Sequence, residues 1–131
     1  MNPVRISVIV PCLNEEKTIA ELLSAILSQT ISIEWLEVII ADGMSTDHTR
    51  ERITAFSHAH PELDVRVVDN LQRTIPAALN QAIRASTGQV IVRMDAHAIP
   101  APDYIEKSLA ALTAGFGENV GGVIEVKPGG S

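Results

Sequence analysis

Hydrophobic positions along the chain fall into two alternating patterns, and the alternation itself predicts the architecture. Ile6 to Val10 is a short β-branched run that reads as a first buried strand, ended by Pro11. After the polar loop PCLNEE, Ile19, Leu22, Leu23, Ile26 and Leu27 recur at helical spacing. They predict a helix from about Glu16 to Gln29 with Asn14 as its N-cap. Leu36 to Ala41 is a second strand that ends on Asp42 and Gly43. Ser45 or Asp47 can cap the next helix, which carries Ile53 and Phe56 inward and closes before Pro61. Val65 to Val68 reads as a third strand, Thr74 to Ser86 as an amphipathic helix stopped by Thr87 and Gly88, and Gln89 to Met94 as a fourth strand. A helix over Tyr104 to Ala114 and a last strand over Asn119 to Val126 complete the pattern. Strands alternating with helices at short connections specify an α/β fold: a mostly parallel sheet with helices on both faces.

Composition narrows the class. At 131 residues the chain is one domain, and 46% hydrophobic against 20% charged content argues for a packed core rather than disorder. Only 3% of residues are aromatic, so aliphatics build that core. A net charge of −6 with no basic stripe argues against a nucleic-acid partner. One cysteine, Cys12, excludes an internal disulfide and fits a reducing, cytoplasmic setting. No apolar run reaches a membrane span of about 20 residues, and MNPVRIS is too short and polar for a signal peptide. KPGGS, residues 127–131, reads as a linker or chain boundary, so the chain is expected to be a fragment of a longer catalytic domain.

Candidate chemistry lies at the strand ends. VIVRMDAH delivers Asp95 at the end of strand four with His97 two positions on, the same face if the backbone stays extended. Ligands of open α/β sheets collect at the carboxyl ends of strands. A carboxylate and an imidazole there suit Mn²⁺ or Mg²⁺ bridged to phosphate oxygens, because such ions take few protein ligands. The alternative is a turn-forming Asp95 and an ordinary surface histidine. Asn14 and Glu15 after strand one and Asp42 after strand two fall on the same edge of a parallel sheet. GxGxxG and GxxxxGK[ST] are both absent, which weighs against dinucleotide-binding and P-loop readings. Ser45 lies outside any GxSxG elbow, and His48, His58 and His60 do not match zinc spacing; they read as surface or capping residues.

Taken in order, ISVIVPCLNEE, EVIIADGMSTDHT and PAALNQAIRASTGQVIVRMDAHAIP resemble the nucleotide-binding half of a family-two glycosyltransferase of A-type (GT-A, Rossmann-like) fold, over residues 4 to 126. The resemblance is strongest to bacterial enzymes of the succinoglycan-biosynthesis type. It implies a nucleotide-diphospho-sugar transferase fold, here truncated, spanning residues 1–131. It further implies transfer with inversion from a nucleotide diphosphate donor, UDP first among them, to a saccharide or lipid-linked acceptor in polysaccharide synthesis. The resemblance places Pro11, Leu13, Asn14 and Glu15 near the nucleotide, with Leu13 standing where the family often has an aromatic. It gives Asp42 the imide N–H of uracil. Asn80 matches the asparagine of an ARNxG segment in which Leu79 replaces the arginine, so Arg73 or Arg93 is left to supply positive charge. Asp95, Ala96 and His97 match the DxD motif, with Asp95 and His97 as the metal ligands. Neutral imidazole is a competent ligand, for which protons compete.

The family's catalytic base lies further along than residue 131. Glu118 and Glu125 are too close to the metal motif for that role, so no residue of this chain is assigned as base, and the fragment is expected to be inactive alone. The resemblance also implies a parent protein associated with the inner face of the cytoplasmic membrane. A truncated sheet leaves an edge strand through which a homodimer can form. Two rival functions remain. A sugar-nucleotide nucleotidylyltransferase needs a Gly-rich basic loop after strand one, where this chain has CLNEE. A non-catalytic regulatory α/β domain of receiver type needs a lysine near a strand end on the same edge.

Overall fold

A computed structural model describes residues 5–113 and 123–126. Four strands run parallel: β1 (Ile6–Cys12), β2 (Leu36–Asp42), β3 (Asp64–Asp69) and β4 (Val90–Arg93). A fifth, β5 (Val123–Val126), pairs antiparallel with β4, and the sheet order is β3-β2-β1-β4-β5. The helices are α1 (Ile19–Leu27), α2 (Thr49–Ala59), α3 (Ile75–Ala85) and α4 (Tyr104–Thr113). None of the described helices is long and apolar enough to cross a membrane.

Strand alternation sorts the core into two layers. Ile6, Val8, Val10 and Cys12 of β1, with Val38 and Ile40 of β2, face Leu22, Leu23 and Ile26 of α1, Ile53 of α2 and Ile105 of α4. Ile9, Ile39 and Ile91 face the other way, against Ala78 and Ala82 of α3, whose small side chains let that helix lie close to the sheet. Both faces are therefore covered, as the pattern predicts. Each fully buried aliphatic here contributes about 1.5–3 kcal/mol relative to exposure.

The elements differ from the sequence reading at three places, each for a local reason. β1 does not stop at Pro11 but continues to Cys12, pairing Pro11 with Ala41 and Cys12 with Asp42 of β2. Proline is tolerated because Ile9 O takes the last bond from the β4 side, from Met94 N at 3.0 Å, so the missing Pro11 N–H faces a flank that β4 has left. Asn14 is not the N-cap of α1. It has φ 52°, and the helix starts only at Ile19, after a turn in which Glu15 O accepts from Thr18 and Ile19 N–H. β4 ends at Arg93, and Asp95 to Ala98 form a turn closed by Ala98 N–H to Asp95 O at 3.0 Å. The condition that would have put Asp95 and His97 on one face of a strand is thus not met. The start of the last predicted strand, 119–122, and the end of the preceding helix, Ala114, lie outside the described residues.

Other expectations hold. Thr74 caps α3 by accepting from Ala77 N–H at 3.3 Å, and Pro76 sits in the first turn where its absent N–H costs nothing. Phe56 packs inward beside Ile53, but the N-cap of α2 is His48 rather than Ser45 or Asp47; Asp47, one residue earlier, accepts from Thr49 N–H at 3.0 Å. β3 lies at the sheet edge and carries Asp64, Arg66 and Asp69, charges that discourage pairing with another strand.

Candidate functional site

The sheet order reverses between β1 and β4, and it is beyond their carboxyl ends that the chain parts to leave a crevice. A cavity of about 230 Å³ opens there, reaching from the loop after β4 across β1 to the segment between β3 and α3. Pro11, Cys12, Leu13 and Glu15 line it from β1, and Asp95, Ala96 and His97 from β4. The third wall runs from Asn70 through Arg73, Thr74 and Ile75 to Ala78.

Of the residues singled out from the sequence, Pro11, Leu13, Glu15, Asp95, Ala96 and His97 meet in this cavity. The Asp95–Ala98 turn, not strand alternation, brings Asp95 and His97 to it together. Glu15 Oε1 lies 3.7 Å from His97 Nδ1, and the Thr18 hydroxyl lies 3.1 Å from both Glu15 Oε2 and the Ala96 carbonyl oxygen. That hydroxyl ties the β1 loop to the β4 turn. Arg93 Nη2 pairs with Asp95 Oδ1 at 3.3 Å, which holds the carboxylate against the strand end. Arg73, with φ 64°, projects from the third wall and forms no ion pair among the described residues.

Three candidates sit elsewhere. Asn14 is exposed and outside the cavity; its Oδ1 accepts from Thr46 and Asp47 N–H at 2.8 and 3.4 Å, and its own N–H donates to Ser45 Oγ at 2.8 Å. Its role is to staple the loop after β1 to the loop after β2. Asp42 is fully buried. Its Oδ1 accepts from Ser45 Oγ at 2.5 Å, and its Oδ2 from Ser45 N–H at 3.0 Å and Arg50 Nε at 2.7 Å. Arg50 continues to Asp69 at 2.6 Å, so Asp42 clamps the ends of β2 and β3 to α2 rather than offering an edge to a base. Asn80 is exposed on α3, two residues past Ala78 and hence on another face of the helix, and does not line the cavity.

The sequence reading missed Asn70. The signal was present: Asp69-Asn70 closes the third strand as Asp42 closes the second. The charged residues within β3 blur the end of that strand, which the aliphatic runs of β1 and β2 mark plainly.

Among the described residues no group of three His, Cys, Asp or Glu is disposed to hold an ion. One carboxylate and one imidazole nevertheless fit a Mn²⁺ or Mg²⁺ ion that takes its remaining ligands from a diphosphate and water. Glu15 beside His97 is then the kind of outer carboxylate that orients a ligating imidazole.

Cys12 forms part of the cavity floor at 6% exposure. Burial first, then the carboxylates of Asp42, Glu15 and Asp47, push its thiol up from 9.0 to about 12, with Arg50 opposing. The thiolate is the nucleophile, so Cys12 is inert in the folded chain. Alkylation by iodoacetamide at pH 8 is expected to run roughly a thousandfold slower in the folded protein than in the urea-unfolded chain. Comparable rates followed by mass spectrometry would contradict this burial.

Comparison with known proteins agrees with the geometry. The family model for glycosyl transferase family 2 matches residues 7–131. Glycosyltransferase AglE of Haloferax volcanii is 32% identical over 120 residues, covering 92% of this chain and 39% of that protein. The succinoglycan biosynthesis protein ExoA of Rhizobium meliloti is 33% identical over 102 residues, covering 76% and 30%. The mannosyltransferase PcManGT from Pyrobaculum calidifontis, solved with GDP-Man and Mn²⁺, superposes with a TM-score of 0.78 at 35% identity, over 83% of this chain and 32% of that one. Glucosyl-3-phosphoglycerate synthase from Mycobacterium tuberculosis, solved with Mn²⁺, UDP-glucose and glycerol 3-phosphate, gives 0.66 at 28% identity, over 86% and 41%. The chain thus spans between 30% and 41% of the length of these proteins. From the matched family, the parallel sheet and the crevice at its reversal, it follows that the chain belongs to glycosyl transferase family 2.

Proposed function

We propose that this chain is the donor-binding part of a glycosyltransferase, taking a sugar linked to a nucleoside diphosphate, uridine in the first instance. The observation that carries the reading is the convergence of Glu15, Asp95, His97 and Arg73 on one cavity at the reversal of the sheet. Asp95 and His97 would hold Mn²⁺ or Mg²⁺, which, when bound, supplies positive charge to the leaving diphosphate.

The chain's own residues do the positioning. Arg73 adds a guanidinium to the cavity's third wall, a group whose charge persists at any working pH and favours an anionic ligand. Leu13, Ile75 and Ala78 give the apolar surface against which a nucleoside packs and from which water is excluded. Glu15 lies 3.7 Å from the His97 ring and adds a carboxylate beside it. The acceptor is proposed to be a saccharide or lipid-linked sugar in bacterial polysaccharide synthesis, with inversion at the anomeric carbon. Catalytic turnover is assigned to the longer parent protein, at the cytoplasmic face of the membrane. The similarity to ExoA, and the donors and Mn²⁺ bound by the two structural neighbours, support this reading.

Isothermal titration of UDP with and without Mn²⁺ tests it. Binding is expected to require the ion. Asp95→Ala should weaken it at least about tenfold, the equivalent of about 1.4 kcal/mol and no more than one charge-assisted contact. Metal-independent binding, or none by a chain shown to be folded by circular dichroism, would count against the site.

A further inference from the structure

Asn70 lies one residue beyond β3 and is 3% exposed. Its backbone N–H donates to Asp42 O at 2.8 Å and its carbonyl accepts from Arg73 N–H at 3.1 Å. The side-chain Nδ2 donates to Thr74 O at 2.9 Å. Because a carbonyl oxygen can only accept, this bond fixes which way round the amide sits. Flipping it would set two oxygens against each other. Oδ1 is thereby committed to face away from Thr74, and among the described residues it is the one buried side-chain nitrogen or oxygen left without a hydrogen-bond partner. The residue that carries it lines the cavity. Buried acceptors are almost always satisfied, so an orphan beside a ligand cavity points to a donor that arrives with the ligand.

We propose that Asn70 Oδ1 reads the base of the bound nucleotide, accepting a hydrogen bond from a ring N–H of the kind uracil carries at N3 and guanine at N1. This rests on the donor-nucleotide reading above and assigns a residue to its specificity. Three strand spacings separate β4 from β3, about 14 Å at about 4.8 Å each. With the diphosphate at Asp95 and His97, the base is the part of the molecule that extends toward β3. Leu13, Ile75 and Ala78 line the cavity between the two ends. Asp42 is fully buried, does not line the cavity and already accepts three bonds from Ser45 and Arg50. Cytosine and adenine present a ring lone pair at the corresponding position, which Oδ1 repels.

The test compares, in Mn²⁺, the affinities of UDP, 3-methyluridine diphosphate, 2′-deoxy-UDP and CDP, and of GDP with its 1-methyl analogue. It uses the wild-type chain and Asn70→Ala. Wild type is expected to prefer the parent of one methyl pair by tenfold or more, to disfavour CDP similarly, and to be nearly indifferent to the 2′-hydroxyl. In Asn70→Ala the methyl penalty should shrink to within about twofold, as the hydrogen bond it reports is gone. If UDP binds but methylation costs wild type nothing, or costs both proteins equally, the assignment to Asn70 is overturned while the donor reading stands. A loss confined to the 2′-deoxy compound would give Oδ1 to the ribose and overturn it likewise. Failure of UDP and GDP alike removes both. Should Asn70→Ala not fold, Asn70→Ser takes its place, and the same shrinking of the methyl penalty is required of it.

Discussion

Gly88→Ala is expected to destabilise the chain by about 3–4 kcal/mol, the sum of overpacking and one lost buried hydrogen bond. A Cβ at Gly88 would meet Ser7 Oγ, Ser7 N at 2.7 Å and Arg5 O at 2.9 Å. The last two are backbone atoms of the segment that enters β1, where Ser7 pairs with Glu37 on one side and Ile91 on the other. Relief therefore requires moving the central strand against both neighbours. The Gly88 N–H bond to Ser7 Oγ, 2.8 Å, would go with it. Urea unfolding measures the change, and a variant within about 1 kcal/mol of wild type would show that β1 yields more easily than a central strand should.

Glu37→Ala is the second large effect, also about 3 kcal/mol, because it strips the partners from a buried polar cluster. Glu37 is fully buried in β2. Oε2 accepts from Ser7 Oγ at 2.5 Å and Thr87 N–H at 2.6 Å. Oε1 accepts from Thr87 Oγ1 at 2.9 Å and Arg66 Nη2 at 2.5 Å. Glu37→Gln rescues little, since its amide nitrogen must confront a donor at either position. Desolvation alone would raise this carboxyl, but the bonds from Ser7 and Thr87 and the Arg66 charge together hold it below the ordinary 4.5. A depressed folded-state value means the unfolded chain takes up the proton first. The stabilisation is therefore complete above about pH 4.5 and is lost as the pH falls toward the folded-state value. Glu37→Gln should flatten that part of the acid-unfolding curve; an unchanged acid slope would relieve Glu37 of the role.

These two residues show what a linear pattern conceals. The period of Ile19 to Leu27 and the aliphatic runs of β1, β2 and β4 revealed the layers, since burial on both faces leaves that imprint. Glu37 sits inside such a run, and its partners come from 30 and 50 positions away in Ser7 and Thr87. Local spacing contains no trace of that meeting. The same holds at the site. Glu15, Asp95 and His97 could be read as strand-end residues, and the cavity does collect them. Asp42 and Asn14, equally strand-end residues, spend their side chains on neighbouring loops, and only three-dimensional partners such as Arg50 and Ser45 tell the two cases apart. Asn80 matched a motif by order, yet helical phase turns it away. Pro11 looks like a stop in the sequence, yet its missing N–H matters only if a neighbour needs it, and none does on that flank.

Asn14 has one more consequence, for the speed of binding. Its left-handed backbone aims one side chain and one N–H at Ser45, Thr46 and Asp47, while Glu15 N–H reaches Thr49 Oγ1 at 2.9 Å and Glu16 N–H reaches Asp47 Oδ2 at 3.3 Å. The loops after β1 and β2 are thereby one cross-braced block, and neither can swing aside without the other. The β1 side of the cavity mouth is therefore expected to be preformed when a ligand arrives. Association should follow a single exponential whose observed rate rises linearly with nucleotide concentration, without the plateau that a slow opening step imposes.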